Sequence, residues 1–271
     1  MDATIRDIEP DFHEVSDWLA RMRQRDGLDQ ARRALRGLQH NFPKHQGLLE
    51  LAYWQDPFWW RSIKFGGIHL ERRGPQHFEF IWSVVLDRDF ANRLKFIPGD
   101  LNPRDLLTAL TRDSLALIPE HKSLQWVVMK NEVPIGLSMF VNINFRNRTA
   151  EQIMGILPPF DTSFLVGDAY CASLLFAFNC MGLNKVQGLI YGSNESVATQ
   201  QERLGFRREG VLSDAVWNET HKKYDDLVQI AMLRRDFDQS RVLQRHIKRQ
   251  AHDRFLDEHR EHSRTPLRLM N

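Results

Sequence analysis

The sequence predicts an α/β (α+β) protein in which a mixed central sheet is flanked by helices and preceded by a helical segment. Residues 12–55 set apolar side chains at helical spacing, whereas from Ile68 to Leu233 strand-like runs alternate with helix-period segments. A third pattern, rich in charge with a single apolar stripe, begins at Phe237. These changes divide the chain into 1–65, 66–237 and 238–271.

In the first part Val15, Trp18, Leu19 and Met22 recur at helical spacing, and Leu28, Ala31, Leu35 and Leu38 do so again. Asp26-Gly27 separates the two helices and Phe42-Pro43 ends the second, ahead of an apolar stretch over 48–54. The hairpin resembles a single tetratricopeptide unit with no second copy, and a lone unit has to cover its open face with a neighbour. Asp56-Pro57-Phe58-Trp59-Trp60, with Arg61 and Lys64 close behind, is expected to plug a junction, the competing reading being aromatics that stack bases or hold an acceptor, and Gly66-Gly67 marks the change of pattern. Ile68-His69-Leu70-Glu71 is a short strand. Helices are expected at 76–86 and 89–96, and from Pro103 through Leu110. Strands at 124–129, 135–142 and 150–157 form an antiparallel meander, turned first at Lys130-Asn131-Glu132. A long apolar helix over 164–181 ends at Gly182, a strand follows at 186–191, and a helix over 195–204 closes at Gly205. Strands at 211–217 and 227–233 complete the sheet. In the tail Leu243, Ile247, Ala251 and Phe255 share one helix stripe, with a solvated charged face opposite.

Bulk properties narrow the function. The 271 residues carry 37 basic and 35 acidic side chains, a net charge of +2, so no whole-chain field draws nucleic acid or an anionic membrane. Cys171 and Cys180 lie in apolar sequence without metal-ligand spacing and read as reduced, packed thiols. His246, His252, His259 and His262 include no i, i+4 pair, so no metal is expected. No apolar run approaches the ~18 residues that span a bilayer, and the acidic start is unlike a signal peptide. A cytoplasmic protein is expected.

One stretch carries a family resemblance. Gly182-Leu183-Asn184-Lys185-Val186, then Asn194, then Glu202-Arg203-Leu204-Gly205-Phe206-Arg207-Arg208-Glu209-Gly210-Val211-Leu212 resembles the GNAT superfamily of N-acetyltransferases, in particular the branch that acetylates ribosomal-protein N-termini. Lys223-Tyr224-Asp225-Asp226 and the run to Leu233 resemble that branch's last strand. The resemblance implies that the parallel strands 150–157 and 186–191 splay apart and hold the pantetheine arm of an acyl donor on unpaired backbone groups. It implies that the helix starting near Phe164 presents its N-terminus to the donor's phosphates, and that Asn194 faces the donor. Thr162 and Ser163 then supply hydroxyls at that helix start. Glu151 is the expected base for the amine, and Tyr191 and Tyr224 are candidate thiolate acids or acceptor contacts.

The departures from the family pattern are as informative. The phosphate loop reads Pro159-Phe160-Asp161-Thr162-Ser163-Phe164, with no glycine before Gly167 and an acidic Asp161. Val197 stands where the family has a serine, Val216 stands where a glutamate is expected, and Gln201 replaces the tyrosine that other branches use to protonate the thiolate. Ser196 and Asp214 lie near these positions but out of register. The expected function is N-acyl transfer, chiefly N-acetyl transfer, from acetyl-CoA, another acyl-CoA or an acyl carrier protein to a primary amine. The acceptor is a small molecule, an amino sugar or a protein N-terminus, and a homo-oligomer is compatible with this. The alternative from a different class is a GNAT-like binding or scaffolding module with reduced catalysis.

Overall fold

The computed structural model describes residues 11–250 except 44, 46, 49–50, 52–61, 88–89, 92–93, 95–100, 116–122 and 219–221. The aromatic segment 56–60 and the tail beyond 250, with His252, His259 and His262, lie outside the described residues.

Asp11 caps the first helix, α1 (Phe12–Asp26), by accepting the N–H groups of His13 and Glu14 at 2.9 and 3.0 Å. Gly27, at φ 87, separates it from α2 (Leu28–Asn41). Val15, Leu19, Ala31 and Leu35 pack with Leu48 and Leu51 into a small core of their own.

The described strands form one mixed sheet in the order β1-β2-β3-β4-β5-β6-β8-β7. They are β1 (Ile63–Phe65), β2 (Ile68–Arg72), β3 (Leu124–Lys130), β4 (Val133–Asn144), β5 (Thr149–Ile156), β6 (Lys185–Tyr191), β7 (Arg207–Asn218) and β8 (Lys223–Leu233). β1 was not expected from the sequence. Gly66-Gly67 is the turn of a β1–β2 hairpin, so the change of pattern read there lies inside the sheet. Gly66 takes φ 56, and a Cβ on it would come within 2.4 Å of Asp168 Oδ2, so only glycine fits this turn. β7 begins four residues ahead of the expected 211. It is an edge strand exposed along most of its length, so no buried alternation marks its start.

Period-two alternation sends side chains to two cores. Trp126 and Val128 join α5 (Ser163–Leu175) and the C-terminal helices on one face. Val127 and Met129 join α3 (Phe78–Leu86) and α4 (Pro103–Leu115) on the other. The expected 164–181 helix is α5 followed by a π-helical turn, Phe176–Cys180, buried in the first core. α6 (Glu195–Leu204) ends at Gly205 in the left-handed conformation, as its sequence predicts. α7 (Arg234–Gln239) and α8 (Arg241–Gln250) follow the last strand, and Leu243 and Ile247 of the predicted stripe are buried. Among the described residues no helix is long and apolar enough to cross a membrane.

Candidate active site

The site follows from one interruption of the sheet. β5 and β6 are parallel neighbours, but they pair only at Thr149↔Lys185, Ala150↔Val186 and Glu151↔Gln187. Past that fork β5 stays with β4 as far as Gly136↔Ile156, and β6 stays with β8 as far as Tyr191↔Leu227. The strands therefore part, and the edges over 152–156 and 188–191 turn N–H and C=O groups towards each other without pairing. Between them opens a cleft of about 340 Å³, roofed by α5 and α6.

Two of the sequence-predicted residues reach this cleft. Tyr191 ends β6 in its wall, and burial pushes its phenol pKa up, with the Asp225 charge adding to the effect. Asp225 is itself buried and accepts from Asn218 Nδ2 at 2.6 Å. Asn194 lines the cleft from the N-cap position of α6. Its side chain makes no capping bond and instead accepts from Ser196 Oγ at 3.3 Å.

The other candidates stand elsewhere. Glu151 is buried at the last rung of the fork and does not line the cleft, and Asn142 Nδ2 donates to its Oε2 at 3.2 Å. By alternation it shares the sheet face of Ile153, which packs in the core of α3 and α4. Thr162 occupies the N-cap position of α5, exposed and without a side-chain cap bond, and Ser163 is that helix's first residue. Its neighbour Asp161 does line the cleft. Tyr224 is 60% exposed and packs edge-on against Trp217 at 5.2 Å, on a hairpin that runs past the end of β6.

Sequence reasoning missed Tyr170. It lies on α5, lines the cleft, and accepts a hydrogen bond from Gln201 Nε2 of α6. Burial pushes its pKa up to about 12, against a smaller lowering by the Gln201 bond. The available signal was a phenol one helical turn beyond Val166 on the same face, but an apolar helix reads as core on every side. Gln152, 9% exposed, also lines the cleft, and neither atom of its amide has a hydrogen-bond partner.

A second polar cluster braces this roof. Asp168 of α5 is fully buried; its Oδ2 accepts the Gly67 N–H at 2.8 Å and its Oδ1 lies 2.6 Å from Nε2 of His246 on α8. One carboxylate thus ties the β1–β2 turn and α8 to the helix that roofs the cleft.

The described residues fit the arm of a pantetheine thioester, whose amides match two open strand edges. They fit the phosphates of CoA less well. Among the described lining residues there is no Lys, Arg or His, and Asp161 brings a negative charge.

A mixed sheet split between two parallel strands, with the helix after each strand covering the gap, defines an acyl-donor fold. The model of the acetyltransferase (GNAT) domain family matches residues 69–207, and the chain belongs to that family. No curated protein sequence matches it. Among solved structures, spermidine N-acetyltransferase from Vibrio cholerae in complex with CoA and spermine is similar in fold, with TM-score 0.56 and 20% identity, over 63% of this chain and 98% of that one. A dodecameric structure of the Vibrio cholerae enzyme in an intermediate state has TM-score 0.52 and 19% identity, over 63% and 96%.

Proposed function

We propose that this acetyltransferase-family chain transfers an acyl group from a pantetheine thioester to a primary amine. The observation that carries the reading is the parting of β5 from β6 after Glu151↔Gln187, which leaves strand edges without a strand partner among the described residues and open to a ligand. A thioester laid along those edges is held next to a strand N–H that polarises its carbonyl, and a neutral amine attacks without covalent help from the protein. Asn194 and Tyr191 contact the donor from the cleft wall, and Thr162 and Ser163 meet it at the start of α5. Glu151 acts from the opposite sheet face, through water, as the base for the amine. Tyr224, exposed on the hairpin past the end of β6, contacts the acceptor.

The polyamine-acetylating neighbours support a small-molecule amine ahead of an amino sugar or a protein N-terminus, the acceptor of the ribosomal-protein branch. An acyl carrier protein is favoured over free CoA as donor, because none of the described lining residues offers the nucleotide end a cation. The proposal places the enzyme in the cytoplasm, as a homo-oligomer, with 1–65 and 238–271 flanking the transferase domain. The test is thiol release from acetyl-CoA and from an acetylated carrier protein, each with spermidine, glucosamine and an alanyl peptide. Release that depends on the amine supports the reading. No release from either donor leaves the scaffolding module in its place.

A further inference from the structure

Among the described residues that line the cleft, three have titratable side chains: Asp161, Tyr170 and Tyr191. They stand at different depths. Asp161 is exposed at the mouth, just before α5, and Tyr191 ends β6 at the same open end. Tyr170 lies deep. α5 begins where β5 has ended, and the chain must return to Lys185, which pairs with Thr149 below the fork, so the helix descends from mouth to fork. Seven residues beyond Ser163, Tyr170 is about 10 Å down that path. Gln201 is seven residues beyond Asn194 on α6, which descends beside it, so the two side chains meet at equal depth. Along β5 the same descent from Ile156 covers about three residues and ends one residue above Gln152.

An arm that enters at the mouth and pairs with the strand edges carries its phosphate outermost and its sulfur innermost. The sulfur therefore lies innermost, towards the fork, on the side where Tyr170 and Gln201 meet. Gln201 Nε2 donates to the phenol oxygen, so that bond engages a lone pair and leaves the phenol's own proton available. Among the described residues no acceptor takes that proton.

We propose that Tyr170 is the acid that protonates the departing thiolate, with Gln201 as the positioning residue that holds the phenol; this rests on the acyl-transfer reading above. The amine lone pair attacks the thioester carbon and forms the C–N bond. The adduct collapses with C–S cleavage, the electron pair goes to sulfur, and sulfur takes the Tyr170 proton to leave as thiol. The nitrogen, cationic in the adduct, loses one proton, which returns through Glu151 or water to the phenolate. Amide and thiol leave, and the protein regains its starting state. The upward pull of burial on this phenol keeps it protonated over the pH range in which the amine attacks.

The experiment compares wild type with Tyr170→Phe, which keeps the ring and its edge contact with Phe206, centroids 6.4 Å apart. Two donors are used, S-acetylpantetheine and 4-nitrothiophenyl acetate, with the amine that supports release in the wild type. On the alkyl thioester kcat is expected to fall about 100-fold with little change in KM, the size of a lost general acid. On the aryl thioester the deficit should shrink to less than about tenfold, because a stable thiolate leaves unprotonated. Equal deficits on both donors, or no deficit, overturn the role of Tyr170. A wild type inert with every donor and amine overturns the transfer reading and this proposal with it. If Tyr170→Phe does not fold, 3,5-difluorotyrosine at position 170 replaces it. Its more acidic phenol should move the alkaline limb of kcat to lower pH, and an unmoved limb counts against the proposal.

Discussion

Glu151 and Asp161 set the chemistry of the two ends of the donor. If Glu151 is the base, Glu151→Gln lowers kcat most at low pH, where neither water nor hydroxide can replace the carboxylate, and the deficit narrows as pH rises. A pH–rate profile that keeps its wild-type shape removes Glu151 from that role. Asp161 stands where the sequence lacks its glycines, and a carboxylate near phosphate costs about 1 kcal/mol even in a water-like dielectric. Asp161→Gly should therefore tighten CoA about fivefold by calorimetry and leave an acetylated carrier protein nearly unchanged. Tight CoA binding in the unmodified protein would contradict the carrier preference and turn attention to Thr162, Ser163 and the N–H groups of α5.

At the scale of elements, α5 holds the site together. Its buried Asp168 has two partners in sequence-distant elements, the Gly67 N–H and His246. His246→Ala would leave a fully buried carboxylate with its backbone donor and without its side-chain partner. Urea unfolding should show a loss of about 2 kcal/mol, and a loss under about 1 kcal/mol would mean that α8 is held by Leu243 and Ile247 instead. Asp168→Asn should lose less, since an amide still accepts from Gly67. The N-terminal hairpin depends on local capping: Asp11→Ala should lower the stability of α1 by about 1 kcal/mol, read as its helical signal on heating.

For the whole molecule, the buried acids set an alkaline limit. Burial raises Cys171 from 9.0 to about 12 and Tyr170 from 10.0 to about 12, and it lifts Cys180 well above 9.0. The folded state thus keeps protons that the unfolded chain releases. The stabilisation is complete below about pH 9, the lowest unfolded value, and is lost as pH rises towards 12. The urea midpoint should hold between pH 7 and pH 8.5 and fall steeply by pH 10.5. Cys171→Ala should flatten that fall while lowering the midpoint at pH 7, because a core methyl cannot fill the space of the thiol.

Local signals marked most elements. Gly205 ends α6 because only glycine takes φ 109 without strain, and Gly27 separates α1 from α2. The meander and both parallel strands were legible because each buries at least one face, so their apolar residues had to recur at strand spacing. β1 and the start of β7 were not, since a three-residue strand and an exposed edge have no such pattern. The cleft was legible through its strand pair, the helix-closing motif, Tyr191 and Asn194. Tyr170, Gln152 and the Asp168–His246 pair came from the tertiary structure alone. The Tyr170–Gln201 and Asp168–His246 contacts each join elements far apart in sequence, and a buried hydrogen bond leaves no periodic trace in the chain, while Gln152 faces the gap only because β5 and β6 part. The sequence by itself determined the sheet, its helices and the strand pair able to part. Only the tertiary structure decided which polar side chains fill the gap, because that depends on how far each returning helix carries its residues down the cleft.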